Sequence, residues 1–377
     1  MIYFDNASTT RIDERILEFM IPFFKNYYSN PSSSHNFGFQ TKKYVDKARE
    51  QISQLINCSP KELLFTSGAT EAINLGLKGF SDKNQEKGRH IITVSSEHKA
   101  VLETCKYIET IGYEVTYLPV KKDGLIDIEV LKSEIRDDTI LVSVMYVNNE
   151  TGVIQDIKNI ANIVHEFGIS LFCDATQAVG KIPVNVIELG IDLMSFSAHK
   201  FHGPKGIGAL YINNNIKNLT PIIHGGGQEH GLRSGTLNVP GIIGLGMACE
   251  ISFNEMDENR ERISILKDKL EMEMLKYPKS FINGNSKNRI YNITNICFPG
   301  IDVNKLIGTM KQVALSNGSA CTSNTIESSH VLKSMGLSNE DAYSSIRFSL
   351  GKFNNQNEII TLSELFHELT NNKLFYA

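Results

Sequence analysis

Lys200 stands in the run FSAHKFHGPKG, 26 residues beyond Asp174, which closes the apolar run ISLFCDA. A lysine set among small residues and glycines can form a Schiff base with an aldehyde cofactor, and an acid at a strand end can keep a buried heteroaromatic nitrogen protonated. Cys321, in SNGSACTSN, is the one of the six cysteines that lies in a polar, small-residue loop. An exposed thiol there becomes a nucleophile once it loses its proton. Lysine, acid and thiol together point to pyridoxal-phosphate chemistry that ends on sulfur.

Further residues extend the pattern. In TSGATEAIN, the small residues Ser67, Gly68 and Ala69 lead into a helix beginning near Thr70, whose free N–H groups would hold a phosphate. Ser197 and His199 can add donors from the opposite wall, and Gln177 can reach a phenolic oxygen on the ring. His98, in SSEHKA, opens a helix after a strand, where a flat imidazole can stack on the ring and move protons. Arg347, in SSIRFSLG, carries a fork that matches an amino-acid carboxylate. Each has a plainer alternative: a turn or cap aspartate at 174, a capping histidine at 98, a solvated lysine at 200, a structural salt bridge at 347.

These residues need a frame. From about residue 60 to 212, short β-rich runs alternate with amphipathic stretches. The runs at 62–66, 90–95, 114–119, 139–145, 169–174, 192–197 and 206–212 read as strands, and 70–80, 98–111, 127–135 and 156–167 as helices. Strands that are apolar almost throughout, with helices between them, predict a mainly parallel sheet covered on both faces. Asp174 then falls at a strand C-terminus, where such sheets open their ligand crevice. Beyond the glycine-rich GGGQEHGLRSGTLNVPG, a long helix over about 240–276 leads to a smaller unit, and the tail reads as one more helix. A chain of 377 residues exceeds the usual range of a single core, so two domains are expected.

Composition excludes several classes. Charged residues make up 21% and the net charge is -4, with lysines interspersed among acids, so no basic stripe supports direct nucleic-acid binding. No apolar run is long enough to span a bilayer, and the N-terminus lacks a secretory pattern. Cys58, Cys105, Cys173, Cys249, Cys297 and Cys321 are scattered without CxxC spacing, which argues against a disulfide scaffold or closed zinc site and for a reducing cytoplasm.

With these residues in hand, the chain resembles the cysteine desulfurases of the NifS/IscS type, in the class V aminotransferase family. The likeness runs through YFDNASTT, NPSSSHNFG, TSGATEAIN, YVNNETGVIQDI, CDATQAVGKI, SAHKFHGPKGIGALYI, GGGQEHGLRSGTLNVP, SNGSACTSN and SSIRFSLGKF. It implies an α/β fold of the aspartate-aminotransferase-like, fold type I class of pyridoxal-phosphate transferases: a mainly parallel seven-stranded sheet with helices on both faces, plus a smaller α+β domain. The expected large, cofactor-binding domain covers 13–255. The small domain, 1–12 with 256–377, carries a mobile cysteine loop near 318–328.

The resemblance also implies roles: Lys200 as the imine-forming lysine, His98 stacked on the ring, Asp174 on the pyridine nitrogen and Gln177 near the phenolic oxygen. Ala69, Thr70, Ser197 and His199 would hold the phosphate, with Thr236 given by the partner subunit of a homodimer. Asn149 and Arg347 would hold the substrate, and Cys321 would accept its sulfur. The implied reaction turns L-cysteine into L-alanine and a persulfide. The sulfur then passes to an acceptor: an iron–sulfur scaffold, a tRNA-thiolating enzyme or a protein that places sulfur in DNA. Competing readings are a selenocysteine or cysteine-sulfinate lyase, or a non-catalytic scaffold. His230 departs from the arginine usual at that position, and the short C-terminus leaves the iron–sulfur partner open.

Overall fold

The computed structural model describes residues 1–216, 219–318 and 328–371. After a short first strand, β1 (Ile2–Tyr3), the β-branched and aromatic runs become seven strands: β2 (Leu63–Thr66), β3 (His90–Val94), β4 (Glu114–Leu118), β5 (Thr139–Met145), β6 (Ser170–Asp174), β7 (Leu193–Ser197) and β8 (Gly208–Ile212). They form one sheet in the order β2-β8-β7-β6-β5-β3-β4. Only β8 runs against its neighbours, β2 and β7; the remaining pairs are parallel.

Helices Ala69–Asn84, Lys99–Thr110, Ile128–Glu134 and Ile157–Glu166 connect successive strands and cover both faces. The two-residue period of a strand shows in the packing. Ile92, Val142 and Leu171 enter one apolar cluster, while their neighbours Ile91, Leu141 and Phe172 enter another on the opposite face. All seven residues of β5 are buried, as a strand covered on both sides requires. Strand ends differ from the sequence reading by one or two residues. The run at 206–212 starts pairing only at Gly208, because Gly206, at φ +79°, still turns the chain.

Register fixes what comes next. Asp174 pairs with Met145 on one side and Ser195 on the other, so β5, β6 and β7 end close together at one edge. The helix Val239–Met274, with a proline in its first turn and Asn238 capping it, joins two cores. Its first half gives Ile242, Leu245 and Cys249 to the large cluster, and its second half gives Ile263, Leu266 and Leu270 to a separate one around Phe4, Phe298, Phe348 and Phe366. Around that second core lie β9 (Phe281–Ile282), β10 (Ile293–Cys297), β11 (Val313–Ala314) and β12 (Ser345–Ser349), with β10 between β12 and β9 and β11 beside β1. The helix Gln356–Asn371 closes the core with Leu362 and Phe366. No helix among the described residues is long and apolar enough to cross a membrane.

Candidate active site

The C-terminal ends of the parallel strands open into a cavity of about 790 Å³. Asp174, Gln177, Ser197, His199 and Lys200 line it from β6, β7 and their following turns; Ala69, Thr70 and His98 line it from two helix starts. Asn149 and Arg347 complete the wall from the loop after β5 and from β12. Ten residues separated by up to 278 positions thus face one space.

Lys200 ends a short 3-10 helix, Ala198–Lys200, directly after β7. Its Nζ donates to the carbonyls of Ala7 and Ser8, each at 2.8 Å. Burial, then the Arg347 guanidinium, draws its pKa from 10.5 down to about 8, while Asp174 and Asp5 pull the other way. A lysine so held is readily freed of its proton, as an imine-forming amine must be.

Asp174 is buried, and its Oδ1 accepts hydrogen bonds from Thr176 N, Thr176 Oγ1 and Ser195 Oγ. Oδ1 is the oxygen that makes the turn, so the aspartate caps its loop and still offers Oδ2 for a ligand. Behind it lies Glu97, wholly buried, with Oε1 accepting from Met145 N. Burial, then the Asp174 charge, pushes the Glu97 carboxyl well above its ordinary pKa.

His98 caps the helix Lys99–Thr110: its Nδ1 accepts from Ala100 N at 3.1 Å. With Nδ1 as acceptor, a neutral ring carries its proton on Nε2. Burial holds the imidazole below its usual pKa, partly offset by Asp174. His199 is brought down to about 4 by burial and Lys200, so it serves as a neutral hydrogen-bonding ring; its Nδ1 lies 3.1 Å from Thr9 Oγ1.

The phosphate cup can be tested on the backbone. Gly68, at φ +156° and ψ -179°, occupies a region open essentially to glycine alone, and it gives the helix Ala69–Asn84 no side-chain cap. The first N–H groups of that helix are left for an anion, opposite Ser197, His199 and Lys205. A Cβ on Gly208 would stand 2.8 Å from Gly68 Cα and 2.5 Å from Phe196 O, so strand and cup meet backbone to backbone. Glu71 in the first turn would repel a phosphate, but Arg233 pairs with it at 2.7 Å and Ser67 N donates to it at 2.8 Å. Amine, acid, amide and open helix start fit pyridoxal phosphate.

Arg347 donates from Nη1 to Asn149 O at 3.1 Å, and from Nη2 to Asp5 Oδ1 and Ser8 Oγ, both at 2.6 Å. The plainer salt-bridge account is therefore also present. Among the described residues its Nε and Asn149 Oδ1 are buried without a partner, as groups reserved for a ligand would be.

Sequence reasoning passed over Glu97, Lys205, Glu150, Ser329 and His330. Glu150 takes a hydrogen bond from Ser329 Oγ, and burial pushes its carboxyl up to about 7. The NNETG run gave no signal for a buried acid. Thr236 is exposed and does not line this cavity; Arg233, three residues before it, ties its loop to Glu71. His230 is exposed at φ +58°, beside buried Glu229, which pairs with Arg49 at 2.6 Å. Cys321 lies outside the described residues, but Gly318 and Ser328, on either side of that segment, both line the cavity.

The family model described as aminotransferase class-V matches residues 2–362. A cysteine desulfurase IscS of Rickettsia typhi is 48% identical over 361 residues, 95% of this chain and 88% of that one. Among solved structures, a NifS-like protein superposes with a TM-score of 0.92 at 39% identity, covering 98% of this chain and 99% of the other. A structure described as SspA in complex with cysteine superposes at 0.85 and 37% identity, covering 94% of this chain and all of that one (100%).

Proposed function

The chain belongs to the class-V aminotransferase family and is, within it, a pyridoxal-phosphate-dependent cysteine desulfurase; from that premise we propose the residues that carry the reaction. When bound, pyridoxal phosphate supplies an aldehyde for amines and a ring that takes up the electron pair released at the substrate's α-carbon. Lys200 would hold the aldehyde and would be the amine placed to take the substrate's α-proton. Asp174 would hold the pyridine nitrogen and keep it protonated, and Gln177 would hold the phenolic oxygen. Ala69 and Thr70 at the helix start, with Ser197 and His199, hold the phosphate. His98 covers the ring and moves a proton at Nε2.

Arg347, and Asn149 through its Nδ2 hydrogens, take the substrate carboxylate, for which Asp5 must release the guanidinium. Cys321, as thiolate, attacks the cysteine sulfur: an S–S bond forms, the C–S bond breaks, and the carbon left behind gains a proton to give L-alanine. Cys321 stands three positions beyond cavity-lining Gly318 in the sequence. The observation that carries this reading is the meeting of lysine, aspartate, arginine and both flanks of the cysteine segment on one cavity.

A homodimer in the cytoplasm follows in the same reading. Exposed Thr236 would complete the partner's phosphate cup, and a persulfide carrier needs a reducing compartment. A large domain over 13–255 and a small one of 1–12 and 256–377 find support in the separate core around Phe298 and Phe366, although Ala7, Ile293, Leu332 and Met335 pack in the large core. The acceptor is a protein thiol or scaffold that takes persulfide sulfur for iron–sulfur clusters or nucleic-acid thiolation. The test is Cys321→Ser: the visible spectrum should still respond to cysteine, while protein-bound persulfide disappears. Persulfide retained on that variant refutes the assignment.

A further inference from the structure

Lys181 is a buried amine, 5% exposed, on the turn that follows β6. No carboxylate among the described residues pairs with it; instead its Nζ donates to Gln177 Oε1. Gln177, 3% exposed, donates from Nε2 to Ala7 O at 2.8 Å, and the same carbonyl accepts from Lys200 Nζ at 2.8 Å. A chain of contacts thus runs from one buried amine, through an amide and a shared carbonyl, to the reactive amine.

With Lys181 as an ammonium, the amide in that chain has one favoured orientation. An ammonium donates and never accepts, and a backbone carbonyl accepts and never donates. Lys181 therefore takes the oxygen of Gln177, and Ala7 takes one hydrogen of its NH2 group. The second hydrogen remains available to the cavity that Gln177 lines. Turned over, the amide would set its oxygen against both Ala7 O and any anionic oxygen in the cavity.

We infer that Lys181 is a positioning residue that pins Gln177 Oε1, so that the amide presents an N–H, and not its oxygen, to the phenolic oxygen of pyridoxal phosphate. The inference rests on the reading that Gln177 faces that oxygen. The cost of the arrangement supports it: burial, then Lys200 and Arg347, draws the Lys181 amine down to about 7. An apolar side chain would fill the same place without that cost. The anionic oxygens of bound cofactor favour the ammonium again, so the lock is firmest in the loaded enzyme.

The test needs no turnover. The visible absorbance of the holoenzyme, without cysteine, is titrated against pH for the native protein, Lys181→Met, Gln177→Ala and the double variant. A donor on the phenolic oxygen stabilises its charged form and lowers the pH at which the absorbance changes. Gln177→Ala should raise that midpoint by about one pH unit, a tenfold change in proton affinity. Lys181→Met should raise it in the same direction, and the double variant should match Gln177→Ala alone.

A Lys181→Met shift that persists in full on the Gln177→Ala background overturns the inference, since the lysine would then act independently of the amide. So does an unmoved midpoint in Lys181→Met when Gln177→Ala moves it. No shift in Gln177→Ala itself overturns the underlying reading of Gln177, and the inference with it. Lys181→Leu, with its own double variant, carries the same comparison where the methionine variant folds poorly.

Discussion

Cofactor capture by Lys200 offers a quantitative test, because only the neutral amine attacks an aldehyde. With its pKa drawn from 10.5 to about 8, the amine is roughly 9% neutral at pH 7, against about 0.03% for an ordinary lysine, a gain of ~300-fold. The cofactor-free protein mixed with pyridoxal phosphate in a stopped-flow spectrometer should therefore react about tenfold faster at pH 7 than at pH 6, then level off by about pH 9. An unperturbed lysine would keep accelerating, by about eightfold more between pH 9 and pH 10. Two variants fix the sign. Arg347→Gln removes a charge that lowers the Lys200 pKa and should move the bend to higher pH, slowing capture at pH 7. Asp174→Asn removes a charge that raises it and should move the bend lower. A rate that climbs without a bend to pH 10, or two variants that shift the bend in one direction, would refute the electrostatic account.

Two further outcomes follow from the packing. Gly208→Ala places a methyl 2.5 Å from Phe196 O and 2.8 Å from Gly68 Cα, both backbone atoms that cannot swing aside. The cup must open, and fluorescence titration should find cofactor affinity at least about tenfold weaker, ~1.4 kcal/mol. Asp13 caps the helix Glu14–Met20 through Arg15 N at 3.0 Å and pairs with Arg15 and Lys352, joining the large core to the strand end near β12. Arg15, then Lys352, holds its carboxyl well below the ordinary 3.8, so its contribution is complete above that pH and fades as pH falls below it. Asp13→Ala should cost about 1–2 kcal/mol at pH 7 and converge with the native protein in strong acid; a melting-temperature deficit that widens on acidification would contradict this.

Much of this architecture could be read from one sequence because local signals and tertiary demands agree. TILVSVM is a strand by composition and is buried on both faces, and its observed bounds, Thr139–Met145, coincide with the expected ones. Asp174 and Lys200 stand at the ends of such strands, so finding the strands also located the residues. Arg347 was harder: its strand was legible, but its Asp5 partner comes from the first turn of the chain, a contact no local pattern encodes. Glu97 and Glu150 were invisible for a related reason. Acids in SSEHKA and NNETG look like solvated residues, and only three-dimensional packing strips their water and raises their pKa. Lys181 belongs with them, since VGKI gives no hint that its amine turns inward onto Gln177.

The local charge of the cavity differs in sign from the chain as a whole, and that explains what it recruits. The sequence carries a net charge of -4, from 38 basic and 42 acidic residues. Yet among the described residues Lys99, Lys200, Lys205 and Arg347 line the cavity with Asp174, Glu71 and Glu150, and Asp5 pairs with Arg347. Glu71 is committed to Arg233, Glu150 is held near neutrality at about 7, and burial keeps His98, His199 and His330 below their usual pKa. Asp174 then faces Lys99, Lys200 and Lys205 across the cavity. Such a site pulls in a phosphate and a carboxylate together, and each anion that binds raises the proton affinity of Lys200. On the proposed assignment, the depression of its pKa belongs to the cofactor-free protein, where the amine would capture the aldehyde, and relaxes as anions bind.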